Sequence, residues 1–176
     1  AVDTAVSIDV NPSIELEVNR QEKVLKANPL NEDAKTLLDG MELEGTNLKT
    51  AVNAVIGSMV QNGYLTADAN SILLTVDNDD EARREALQKE LTEGVNDSLK
   101  QLSLNGTVFS QSLQGNDELK ALAAQYGISE GKARWIQMLT QADASLKADV
   151  LAELSINDLA LLAEARNLSG DYVGTA

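Results

Sequence analysis

Two apolar runs of period two, separated by an asparagine–proline pair, restrict the fold of this chain more than any other feature. Val6, Ile8 and Val10 alternate with polar residues, and Ile14, Leu16 and Val18 do the same with Glu15 and Glu17 between them. Such alternation marks half-buried strands. The parity also suits one continuous strand, but Pro12 has no amide hydrogen to give to a ladder, which favours a hairpin. In opposed strands, residues whose numbers share a fixed sum lie across from one another. Pairing 10 with 14, 8 with 16 and 6 with 18 matches apolar to apolar and predicts a three-residue loop over 11–13.

A third strand is expected over Lys23–Ala27, ending at Asn28-Pro29, followed by helices. Leu48, Val52, Val55, Ile56, Met59 and Val60 form a helical stripe that stops at Gly63. Ser71–Val76 reads as a buried strand. The acids Asp77, Asp79, Asp80 and Glu81 then suit the positive start of a long helix carrying Leu87, Leu91, Val95, Leu99 and Leu102. Asn105-Gly106 turns the chain into a last strand, Thr107–Leu113. Beyond Gln114-Gly115 the pattern is all helical, with Gly127 as a stop and Ser129 as the next N-cap. The expected fold is α+β: a small, mostly antiparallel sheet covered by helices over residues 1–114, followed by a small all-helical unit over 115–176.

The 176 residues include neither cysteine nor histidine, so thiolate chemistry, disulfides and imidazole catalysis are excluded. With 28 acids against 14 bases, the net charge of −14 opposes binding to nucleic acid or an anionic membrane. Residues 122–136 have the spacing of a helix-turn-helix, but Asp117, Glu118 and Glu130 cancel Lys120, Lys132 and Arg134, and an ordinary helical hairpin is expected. A calcium loop starting at Asp77 would need Gly and Glu where Ala82 and Gln88 stand. Glu15 and Glu17 share a strand face without aromatic sugar platforms, and Trp135 is spaced for the core. No cofactor or metal is expected. No apolar run reaches the roughly 20 residues of a membrane span.

Asn11-Pro12 carries chemistry of its own. The usual attack on an asparagine side chain comes from the next backbone nitrogen, which Pro12 cannot supply as N–H. The opposite attack stays open: the Asn11 side-chain nitrogen can close on its own backbone carbonyl, form a succinimide and expel the proline nitrogen. Backbone strain of about 1–3 kcal/mol gives only about 10- to 100-fold in rate. Positioning must therefore supply the rest, where a fixed near-attack geometry is worth roughly 7–11 kcal/mol. Asp9 and Ser13 are close enough in sequence to orient the amide or polarise the carbonyl. Asn28-Pro29 repeats the dipeptide, though between a strand and a helix start rather than inside a clamped loop.

The string Val6-Ser7-Ile8-Asp9-Val10-Asn11-Pro12-Ser13-Ile14-Glu15-Leu16, then Asn19-Arg20, Val24 and Leu30-Asn31-Glu32-Asp33, resembles the extracytoplasmic region of the bacterial anti-sigma-I factor RsgI family. Looser likeness continues through 71–78, 123–136 and 155–162. The resemblance implies a SEA-like autoproteolytic module, cut at the bond matching Asn11-Pro12, whose N-terminal strand fragment stays bound to the remainder. It also implies a membrane-anchored regulator with one transmembrane helix and a cytoplasmic sigma factor-binding part outside these residues. Site-1 and intramembrane proteases would later free the sigma factor. A reading of another class is an uncleaved adaptor that binds a partner or ligand through the C-terminal helices.

Overall fold

A computed structural model describes residues 1–168 and the strand Gly174–Thr175; residues 169–173 and 176, in the tail of the expected helical unit, lie outside the described residues. The sheet consists of β1 (Thr4–Asp9), β2 (Ser13–Val18), β3 (Val24–Pro29), β4 (Ser71–Asp77), β5 (Thr107–Leu113) and the two-residue β6 (Gly174–Thr175), in the order β3-β2-β1-β4-β5-β6. All neighbours are antiparallel except β4 and β5, which run parallel as a strand–helix–strand crossover requires. This is the expected α+β arrangement, a sheet covered by helices.

Alternation decides which helices cover which face. Val6, Ile8, Ile14, Leu16, Ile72, Leu74 and Val76 point to one side, where they pack with α1 (Glu32–Leu38), α2 (Leu48–Gln61) and α3 (Glu81–Gln101). Leu73 points the other way. With the half-buried Phe109 it packs against α4 (Asp117–Tyr126), α5 (Glu130–Ala142), α6 (Ala148–Ala152) and α7 (Ile156–Ala165). Burial on both faces explains why β4 reads as an almost unbroken apolar run. Trp135 lies in this second core, edge-on to Phe109 with ring centroids 5.3 Å apart.

The hairpin register departs from the sequence expectation by two residues. Observed partners are Val6 with Leu16, Ile8 with Ile14 and Asp9 with Ser13, so the three-residue loop is 10–12 rather than 11–13. Either register turns the same side chains inward, so hydrophobic matching cannot choose between them. Polar contacts do. The Val10 N–H donates to the Pro12 carbonyl at 3.0 Å, and the Ser13 hydroxyl donates to the Asp9 carboxylate at 2.5 Å.

Candidate functional site

The loop joining β1 to β2 is tied down at almost every backbone polar group. Besides the bond between Val10 and Pro12, the Val10 carbonyl accepts from the Ile156 N–H at 3.0 Å, and the Ser13 carbonyl accepts from the Leu30 N–H at 2.9 Å. Ser13 N–H donates to Asn31 Oδ1 at 3.3 Å. Pro12 is buried while Asn11, at the tip, is exposed. Among the described residues, the non-glycine residues with positive φ are Glu22, Ser103 and Asn167, all away from the loop, so fixed position rather than left-handed backbone strain characterises Asn11.

Asn31 reaches the bond that the sequence singled out. It is the N-cap of α1, where its Oδ1 accepts from the Ala34 N–H at 2.9 Å. Its Nδ2 donates to the Asn11 carbonyl oxygen at 2.8 Å. With Oδ1 facing two backbone donors, the amide orientation is fixed by its partners and the NH2 group must point at Asn11. The Asn11 side chain is held as well: Nδ2 donates to Asp33 Oδ2 at 3.2 Å, and the Tyr64 hydroxyl donates to Asp33 Oδ1 at 3.4 Å. Beside the loop lies a cleft of about 420 Å³ whose lining includes Asn11, Asn31, Asp33, Tyr126, Lys132 and Glu153.

Asp9 and Ser13, the residues expected to assist, lie beneath the loop and bond to each other. Asp9 Oδ2 accepts from the Ser129 hydroxyl at 2.6 Å, which leaves the carboxylate facing two hydroxyls rather than the Asn11 amide. Burial pushes the Asp9 carboxyl above its ordinary range, opposed by those hydroxyls and by the Lys132 charge. Lys132 is also buried; desolvation lowers its pKa, while Asp9 and Glu153 pull the other way. Its Nζ donates to the carbonyls of Ala152 (2.9 Å) and Leu154 (2.6 Å) at the end of α6. The contacts around the loop not anticipated from sequence are those of Asn31, Asp33, Tyr64, Ser129 and Ile156. Asn31-Glu32-Asp33 and Ser129 were legible as helix starts, and nothing in their spacing reveals the second contact each makes.

The other candidates stand elsewhere. Asn28 Nδ2 donates to Glu15 Oε1 (3.3 Å) and Glu17 Oε2 (3.2 Å). Asp80 caps α3, accepting from Arg83 N–H at 3.2 Å. Lys132, Trp135 and Ile136 of α5 are buried, so the second helix of the helix-turn-helix spacing is turned into the core rather than outward. Among the described residues, no group of acidic side chains is arranged to hold a metal ion, and no helix is long and apolar enough to cross a membrane.

Residues 3–138 match the family described as the anti-sigma factor RsgI-like central domain. The chain is 28% identical over 159 residues to anti-sigma-I factor RsgI9 of Acetivibrio thermocellus, a match covering 88% of this chain and 22% of that protein. It is 39% identical over 69 residues to RsgI6 of the same organism, 39% of this chain and 9% of the relative. With RsgI of Bacillus subtilis it shares 25% identity over 129 residues, 72% of this chain and 32% of the relative. The chain thus spans less than a third of each of these relatives. Because the family match extends over residues 3–138, most of the chain, the chain belongs to the anti-sigma factor RsgI-like central domain family.

Proposed function

We propose that this domain cuts its own chain between Asn11 and Pro12, and that it does so as the extracytoplasmic part of a membrane-anchored anti-sigma factor. The observation that carries the reading is the fixed Asn11 carbonyl, with Asn31 Nδ2 2.8 Å from its oxygen on a loop pinned from both sides. A rigid loop supplies the positioning that strain alone lacks. Pro12 closes the competing route by having no N–H. The products are a peptide of residues 1–11 and a remainder beginning with Pro12. Their association is supported by the place of β1 in the sheet, paired with β2 on one side and β4 on the other. The SEA-like comparison rests on this behaviour rather than on strand order. In the whole protein, release of the N-terminal piece would expose the membrane segment to site-1 and intramembrane proteases and free a sigma factor. The two domains, 1–114 and 115–176, would act together, since Ser129 at the start of α5 bonds to Asp9 at the end of β1 and Ile156 at the start of α7 bonds to Val10 in the loop.

The test is intact mass of the purified chain under denaturing conditions over time. The expected result is accumulation of the 1–11 peptide, absent in Asn11→Ala. A wild-type chain that stays whole overturns the reading and favours an uncleaved adaptor.

A further inference from the structure

Resting on the self-cleavage reading, we propose that Asn31 and Asp33 are its catalytic residues, Asn31 as the donor to the developing oxyanion and Asp33 as the acceptor of the proton from the attacking amide. Both touch reacting atoms. Asn31 Nδ2 lies 2.8 Å from the Asn11 carbonyl oxygen and Asp33 Oδ2 lies 3.2 Å from Asn11 Nδ2, the nucleophile.

The step balances as follows. Asn11 Nδ2 forms a bond to the Asn11 carbonyl carbon and gives one proton to the Asp33 carboxylate. The carbonyl π electrons move onto oxygen, where the Asn31 NH2 group meets the negative charge. As the carbonyl re-forms, the bond from carbon to the Pro12 nitrogen breaks, and that nitrogen takes a proton from water in the cleft. Asp33 returns its proton to water, so no net proton is consumed. The first piece ends in a succinimide and the second begins with a prolyl amine. Hydrolysis then opens the ring to a C-terminal asparagine or its isomer.

An amide is a poor nucleophile because its lone pair is delocalised, and proton removal during attack is what a positioned carboxylate supplies, about 10²- to 10⁴-fold. A preorganised donor at the oxyanion is worth about 10²- to 10³-fold. Tyr64, hydrogen-bonded to the other oxygen of Asp33, orients the acceptor. Asn31 is set by its capping bond to Ala34, so the donor costs no reorganisation.

The variants Asn31→Asp and Asp33→Asn test this. Aspartate caps a helix as well as asparagine does, so Asn31→Asp keeps the acceptor of α1 while it replaces the donor with a carboxylate oxygen; Asn31→Ser is a second capping variant that lacks a donor of that reach and adds no charge. The rate is followed by intact mass during cell-free synthesis of the full chain, with thermal unfolding measured on each product. Cleavage is expected to slow about 100-fold or more in each variant, with unfolding temperatures close to wild type. Wild-type cleavage with undiminished rates in folded Asn31→Asp and Asp33→Asn overturns the assignment alone. A wild-type chain that is never cut overturns the underlying reading.

Discussion

The Ser129 hydroxyl donates to the Asp9 carboxylate at 2.6 Å, a bond across 120 residues that joins the β1–β2 hairpin to the N-cap of α5. Ser129 also accepts from the Lys132 N–H at 3.0 Å, so one hydroxyl both caps a helix and satisfies a buried acid. Ser129→Ala removes a cap worth about 1 kcal/mol and a hydrogen bond to a charged group worth about 1.5–3 kcal/mol. A loss of about 2–4 kcal/mol is expected in denaturant unfolding. Ser129→Thr, which keeps the hydroxyl, is expected to recover most of it.

The second asparagine–proline bond is expected to stay whole. Asn28 lies in β3 opposite Glu15, and its Nδ2 donates to the Glu15 and Glu17 carboxylates. Glu15 and Glu17 face that amide as Asp33 faces the Asn11 amide, but Asn28 is held along an extended strand in the β2–β3 ladder rather than in a pinned loop. Peptide mapping after complete cleavage at Asn11 should recover Asn28-Pro29 uncut. A fragment beginning at Pro29 would show that the dipeptide, not its setting, directs the reaction.

This contrast marks what the sequence could convey. Period-two alternation located β1 and β2, because inward residues must be apolar wherever helices cover the sheet. It could not place the loop, since registers two residues apart bury the same side chains, and the choice fell to the polar contacts of Asp9 with Ser13 and Val10 with Pro12. Ser129 was visible as a cap and Asn31-Glu32-Asp33 as a helix start, both local properties. Their second contacts depend on how α1 and α5 pack against the hairpin, which no local pattern encodes. Leu73 hinted at the covered second face, being the residue that breaks the alternation of β4.

Stability is expected to rise on mild acidification. Glu15, Asp77 and Glu130 approach one another where α5 meets the sheet, and Glu130 Oε1 is buried without a hydrogen-bond partner. Burial raises all three pKa values above their ordinary 4.5 and 3.8, and mutual repulsion adds to this for Glu15 and Glu130, with Lys120 opposing at Asp77 and Glu130. An acid with a raised folded pKa binds more protons folded than unfolded, so stability falls as pH rises from the unfolded value through the folded one. Unfolding temperature should therefore increase as pH is lowered from neutrality toward the ordinary carboxylate values. Glu130→Gln should flatten the slope. Below pH 3.8 the sign reverses for Asp3: burial raises its pKa, but Thr4 and Arg83 outweigh this and hold the folded value lower, so its contribution is lost there.

At Gly131, α5 lies tight against the sheet. A methyl group there would stand 2.0 Å from Thr75 Oγ1, whose neighbour Gln111 bonds both Thr75 and the Gly131 carbonyl. Gly131→Ala should destabilise by about 1–3 kcal/mol through overpacking. Thr75→Ala should relieve part of this in the double variant, which a thermodynamic cycle over the four proteins would reveal as coupling.

Once cut, residues 1–11 would be held by more than apolar burial. Asn78 Nδ2 donates to the Asp3 carbonyl at 3.0 Å and to Thr4 Oγ1 at 2.8 Å, while Arg83 Nε pairs with Asp3 Oδ2 at 2.8 Å. Asn78 and Thr4 are both buried, so the bond between them is shielded from water, whereas Arg83 and Asp3 are partly exposed and screened. Asn78→Ala should therefore shorten retention of the fragment more than Arg83→Gln does. A loss of about 1–3 kcal/mol corresponds to about 5- to 150-fold faster release. Immobilising the cleaved protein through its C-terminal piece and timing loss of the 1–11 peptide measures this directly. Equal release from the two variants would place the hold in the β ladder and in Val6 and Ile8 rather than in the polar latch at the start of the strand.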